Sequence, residues 1–125
     1  MIDIMLIKRD DLNNKRETIY YANKITKFII NKRKVKIVAE TVFSEPKTIK
    51  INFELEKDKN WLVIFCNPKI SFQINDDIAS YVSCLIIKTD GKRTSGVEKY
   101  MTTCGMESHN LWDDKEKNPI KIKQL

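Results

Sequence analysis

Residues 14–32 have the sequence NKRETIYYANKITKFIINK, and the predicted fold depends on this stretch. At about 100° per residue, one side of a helix collects small and aliphatic side chains, namely Ile19, Ala22, Ile25, Ile29 and Ile30. The opposite side collects Arg16, Tyr20, Lys24, Lys27, Asn31 and Lys34. This two-sided pattern predicts an amphipathic helix over residues 14–32, with Asn13 or Asn14 as its N-cap.

After this stretch the apolar pattern changes to a period of two. Residues 47–56 alternate, with Ile49, Ile51, Phe53 and Leu55 predicted inward and Lys50, Asn52, Glu54 and Glu56 outward. Further strands are predicted over residues 35–43, 61–66 and 70–75, with turns at 44–47, 57–60 and 67–69. The predicted fold class is therefore α+β, an antiparallel β-meander of about four to six strands with the N-terminal helix packed on one face.

The remaining segments carry weaker patterns. Residues 2–8 are predicted as a short strand. Residues 76–91 suit a helix slightly better than a strand, because Ile78, Tyr81, Val82 and Leu85 have helical spacing. Residues 92–118 are predicted to be rich in loops, with a helical turn near 97–103. Residues 120–125 are predicted as an edge strand, where outward lysines discourage pairing with other chains.

Length and composition predict a single globular domain over residues 1–125. The chain has 125 residues, of which 42% are hydrophobic and 32% are charged. Its longest apolar run, residues 61–66, is much shorter than the roughly 20 residues that span a bilayer. No signal peptide is recognised at the start, and three widely spaced cysteines suit a reducing compartment. We therefore expect a cytoplasmic protein without a membrane partner, and the abundance of Lys, Ile and Asn suggests a bacterial or phage source.

The net charge of +6 is concentrated at the start of the chain. Residues 1–36 contain ten Lys and Arg and four Asp and Glu, whereas residues 37–125 are balanced. A local positive field of this kind attracts an acidic partner or a phosphate backbone. Only four arginines are present, which leaves little capacity for bidentate reading of bases.

The residue types that carry catalysis or bind metals are sparse. His109 is the only histidine, and Cys104 precedes it without any familiar nucleophile signature. Cys66, Cys84, Cys104 and His109 lack the close Cys pair of structural zinc sites. The carboxylates of Glu107, Asp113, Asp114 and Glu116 are interspersed with lysines, as in a solvated loop. The sequence therefore predicts no enzyme activity, no metal and no cofactor.

The predicted binding surface is the basic side of the helix, formed by Arg16, Tyr20, Lys24, Lys27 and Lys34. The preferred hypothesis is a non-enzymatic, protein-binding inhibitor or neutraliser, of the toxin-immunity or phage-encoded type, whose partner has an acidic surface. One alternative is a nucleic-acid-binding module that uses the basic helix 14–36. A second alternative is a small RNase-type toxin, and an ordinary solvated helix face would give the same pattern.

Overall fold

The computed structural model describes residues 2–11, 13–42, 45–56, 59–74, 77–89, 97–102, 106–110 and 119–125, with the side chains of 74–82 and 89–110 outside the description. Within these ranges the chain forms ten strands. They are β1 (Asp3–Asp11), β2 (Arg16–Ala22), β3 (Lys24–Asn31), β4 (Lys34–Thr41), β5 (Lys47–Glu54), β6 (Trp61–Ile74), β7 (Asp77–Thr89), β8 (Val97–Thr102), β9 (Met106–Asn110) and β10 (Ile120–Gln124).

All the strand pairs are antiparallel, and they form one strongly curved, nearly closed sheet. The main path runs β5-β4-β3-β10-β6-β7-β8-β9. The long strand β6 pairs with β1 along its first half and with β10 along its second half. Strand β2 pairs with β1 and continues through a bend at Asn23 into β3, which pairs with β10. The chain therefore curls back on itself around one interior.

The interior is a single apolar cluster to which β1 to β7 and β10 contribute. Strand β6 supplies Leu62, Ile64 and Phe72, which are fully buried. Other fully or almost fully buried members come from β1, β3, β4, β5, β7 and β10: Leu6, Phe28, Ile30, Ile37, Ile51, Leu85, Ile87 and Ile120. Burying this many large aliphatic side chains is the main stabilising term for a domain of this size.

The predicted α+β fold class is wrong, because the described part of the chain is all β. Residues 14–32 form β2, the Asn23 bend and β3 instead of a helix. The helix-like spacing has a structural cause. Buried Ala22, Ile25 and Phe28 are three residues apart because the bend at Asn23 and a bulge between Ile25 and Lys27 each shift the alternation by one residue. β-branched and aromatic residues, which favour strands, fill both halves.

Several other expectations need correction. Residues 77–89 form β7 rather than the favoured helix, and the expected helical turn near 97–103 is strand β8. The expected turn at 67–69 lies inside β6, at an irregularity with a cis Asn67–Pro68 peptide. Strand β10 exists, but it is not at an edge, because it lies between β3 and β6. No helix long and apolar enough to cross a membrane occurs within the described ranges.

The predictions for the middle of the chain are confirmed. The strand expected over residues 35–43 is β4, and the strand expected over residues 47–56 is β5. The alternation along β5 also has the predicted facing, since Ile51 and Leu55 are buried and Lys50 and Asn52 are exposed. Ile49 and Phe53 are partly buried and pack against the core.

Candidate functional site

On the outer surface of strands β10, β3, β4 and β5, most of the exposed side chains are lysines. We call this surface the lysine face and define it by six exposed residues: Lys27, Lys34, Lys36, Lys50, Lys121 and Lys123. They point outward because they alternate with buried residues along each strand. Ile29 and Val38, both half-buried, lie among them.

The strand register places these side chains in rows across the sheet. Lys121, Ile29, Lys36 and Asn52 form one row. Lys27, Val38 and Lys50 form the next row, and Asn31, Lys34 and Glu54 form the row on the other side. Neighbouring strands are about 4.8 Å apart and successive rows about 7 Å apart. The lysine amines therefore cover a compact area rather than a single line.

A shallow cleft lies on this face. Its volume is about 540 Å³, and Lys27, Lys34 and Lys36 line it together with Asn52 and Glu54. Ile29 provides an outward apolar side chain, whereas Val35 and Phe53 border the cleft with their side chains directed to the core. The cleft can accept an acidic group among the amines and an apolar group against Ile29 at the same time. Neither histidine nor cysteine occurs among its described lining residues.

Two hydrogen bonds between side chains and the backbone, together with one tight turn, hold the strands of the lysine face in position. At the β3 bulge the Ile25 N–H donates to the Gln124 side-chain oxygen, at 2.8 Å, which ties β3 to β10. The Thr26 hydroxyl donates to the Val38 carbonyl at 3.1 Å. Lys32, with a φ of 58°, closes the turn between β3 and β4 in the left-handed region. These contacts fix which side chains of β3 point outward.

The lysine face is poorly compensated by acidic side chains. Glu54 is the acidic residue in its rows, and its carboxylate is 3.8 Å from Arg33. Lys27, Lys34, Lys36, Lys50 and Lys123 have no carboxylate within ion-pair distance in the described part of the chain. The face therefore presents a positive field to solvent.

The five residues predicted from the helix pattern do not share one surface. Lys27 and Lys34 belong to the lysine face, and exposed Lys24 lies at its end, opposite Glu40 in the register. Arg16 starts β2, on the other part of the sheet. Tyr20 is half-buried and packs against the core. The prediction that these five residues share one face of a helix is wrong, because they lie on strands and the side chain of Tyr20 points inward.

Of the other four members, the sequence placed Lys36 at the end of the basic segment 14–36, whereas it assigned Lys50, Lys121 and Lys123 to no site. Lys36 and Lys50 were visible as polar positions in alternating strands, and Lys121 and Lys123 alternate with Ile120 and Ile122. No signal within the sequence shows that β10, at the end of the chain, is inserted beside β3. Half of the charge on this face therefore comes from outside residues 1–36.

The groups with candidate chemical reactivity lie elsewhere or outside the description. Cys66 and Cys84 are buried as thiols, and burial, with a smaller effect of nearby Cys84, raises the pKa of Cys66 to about 12. Such a thiol is a poor nucleophile at neutral pH. Cys104, Asp113, Asp114, Glu116 and the side chains of Glu107 and His109 lie outside the described residues. Among the described residues, no three His, Cys, Asp or Glu side chains are grouped as metal ligands.

Comparison with known proteins gives no family for this chain, since no family model, curated protein or solved structure matches it.

Proposed function

We propose that this chain is a non-enzymatic binding protein, of the inhibitor or neutraliser class, that recognises an acidic surface of a protein partner through the lysine face. The observation that carries the proposal is the convergence of six exposed lysines on four adjacent strands. Complementary charge accelerates encounter and selects against basic competitors.

The composition of the cleft favours a protein partner over a nucleic acid. Ile29 and Val38 give the centre of the face an apolar patch that suits aliphatic side chains. Proteins that bind single strands combine basic grooves with aromatic side chains on which bases stack. The aromatic residue that borders the cleft, Phe53, packs its side chain against the core, and the Lys8 amine lies 5.5 Å from the centroid of its ring. One side of that ring is therefore already covered.

The side chains that line the cleft support a role in binding rather than in catalysis. They are amines, amides, one carboxylate and apolar groups, without an imidazole or thiol among the described lining residues. The lysines of the cleft are exposed and lie beside other lysines of the face, an arrangement that suits recognition of negative charge.

The test uses two defined probes, a peptide of alternating Glu and Leu residues and an oligonucleotide of equal charge. Titration calorimetry measures the dissociation constant of each probe at about 50 mM and about 300 mM salt. We expect the peptide to bind more tightly than the oligonucleotide and to weaken several-fold at the higher salt concentration. Tighter binding of the oligonucleotide would overturn the choice of a protein partner.

Matched variants separate the lysine face from net charge. The Lys27→Glu and Lys36→Glu double variant reverses two charges of the face, and the Lys15→Glu and Lys69→Glu double variant reverses two exposed charges elsewhere. We expect the first pair to weaken peptide binding roughly tenfold or more and the second pair to have a much smaller effect. Equal effects would mean that net charge, and not this face, determines binding.

A further inference from the structure

A second surface of the molecule is apolar where a solvated sheet face is usually polar. We call it the apolar face and define it by six outward side chains of β1, β2 and β6: Met5, Ile7, Ile19, Tyr21, Val63 and Phe65. Ile19, Tyr21 and Phe65 keep 44%, 66% and 41% of their surface exposed. Scattered exposed apolar residues are ordinary, but a contiguous group marks an interaction site.

The register makes the group contiguous. Tyr21, Met5 and Phe65 are direct neighbours across three strands, and so are Ile19, Ile7 and Val63 in the next row. Each row alternates along its strands with buried residues such as Leu6 and Ile64, so these side chains cannot belong to the core. The apolar face thus consists of two neighbouring rows across β2, β1 and β6 on the outside of the sheet.

Charged residues of opposite sign lie at the two ends of the apolar face on β1. In chain order, the side chains of β1 that face outward are Asp3, Met5, Ile7 and Arg9, which are an acid, two apolar residues and a base. Asp3 is exposed. Arg9 forms an ion pair with Glu17, and its guanidinium lies over Trp61 at 5.3 Å from the ring centroid.

We infer that the occupant of the apolar face is a second copy of this chain, packed face to face about a two-fold axis that runs across the strands between the Met5 and Ile7 rows. This operation places β1 antiparallel on β1 of the other copy. Met5 then lies over Ile7 of the second copy, and Asp3 lies over Arg9 of the second copy. The outward residues of β1 are therefore complementary to those of β1 in the second copy, since acid meets base and apolar meets apolar. An isologous contact forms each of these pairs twice.

The distribution of charge also selects this surface for self-association. Two copies that each carry a charge of +6 repel one another, and most strongly if their lysine faces meet. The apolar face uses other strands and includes no lysine among its six members. Sheets that pack face to face are about 10 Å apart, so the side chains of both copies would exclude water from the contact.

Sedimentation velocity of the full chain, from roughly 5 µM to roughly 500 µM, tests the inference. The wild type should form a dimer of twice 14.7 kDa, and raising the salt concentration should not dissociate it. Ile19→Lys and Phe65→Lys should each raise the dissociation constant of the dimer roughly tenfold or more, because each buries an ammonium group. Leu125→Lys, which alters an exposed leucine outside the face, is the matched control and should leave the dimer intact.

The register has its own test. Asp3→Asn removes the acid from both of the proposed Asp3–Arg9 pairs and should weaken the dimer several-fold, whereas Glu45→Gln, which neutralises another exposed acid, should not. A monomeric wild type at every concentration would overturn the inference. A dimer that tolerates both Ile19→Lys and Phe65→Lys, or that Leu125→Lys disrupts equally, would also overturn it. Circular dichroism establishes that each variant is folded.

Discussion

Two adjacent isoleucines distinguish the observed strand from the helix that the spacing predicts. In a helix, Ile29 and Ile30 would both lie on the buried side. In β3, Ile30 is fully buried in the core, whereas Ile29 points outward into the lysine face and is half-buried. The same substitution at the two positions should therefore have different costs.

Replacement of Ile30 by alanine should lower the free energy of unfolding by about 2–5 kcal/mol, since it removes buried methyl groups and leaves a cavity. Ile29→Ala removes side-chain surface that is only partly buried and leaves no enclosed cavity, so its cost should be about 1 kcal/mol. The difference between the two variants should therefore be at least about 1 kcal/mol.

Equilibrium unfolding in guanidinium chloride measures both variants against the wild type. The comparison requires that the dependence of unfolding free energy on denaturant is the same for all three proteins. Losses that agree within about 0.5 kcal/mol would refute the strand geometry, because only a helix buries both side chains alike.

Three further predictions concern local features. Lys15 has a φ of 53°, so Lys15→Gly should raise the free energy of unfolding by about 0.5–1 kcal/mol in a thermal melt, and a loss would contradict this. The Asn14 side-chain amide, the Asn14 N–H and the Asn13 N–H donate to Asp11 and lower its pKa below 3.8. The ionised carboxylate of Asp11 therefore stabilises the fold at pH values above its pKa in the unfolded chain, and this contribution is lost as the pH falls through its lower pKa in the folded protein. The difference in stability between wild type and Asp11→Asn should therefore shrink below about pH 4. Because burial raises the pKa of Cys66 to about 12, iodoacetamide at about pH 8 should label Cys66 in denaturant and not in the native protein, as read by peptide mass spectrometry.

Local alternation was sufficient to predict the strands in the middle of the chain. Lys47–Glu54 has a regular period of two, without a bulge, so the inward positions of Ile51 and Leu55 follow from the pattern alone. The same rule failed over residues 14–32 because a bend and a bulge lie within ten residues of each other. Each of these irregularities adds one residue to the alternation, so that successive buried residues are three apart instead of two. A spacing of three residues is also typical of one face of a helix.

The candidate site was only partly predictable, for a different reason. Lys27 and Lys34 are close in sequence and remain close in the structure, because a tight turn joins β3 and β4. Lys121 and Lys123 join them through the pairing of β10 with β3, a contact across about three-quarters of the chain. Long-range pairing of this kind depends on the whole packing arrangement and leaves no local signal.

Amide chemical-shift mapping is the most direct measurement of the central claim, that the lysine face is the binding surface. The Glu- and Leu-containing peptide is titrated into isotopically labelled protein at low salt, and the shift of each backbone amide is followed. We expect the largest changes on β3, β4, β5 and β10, around Ile29, Lys36 and Val38. Changes concentrated on β1 and β2, or spread evenly over all exposed lysines, would contradict the account.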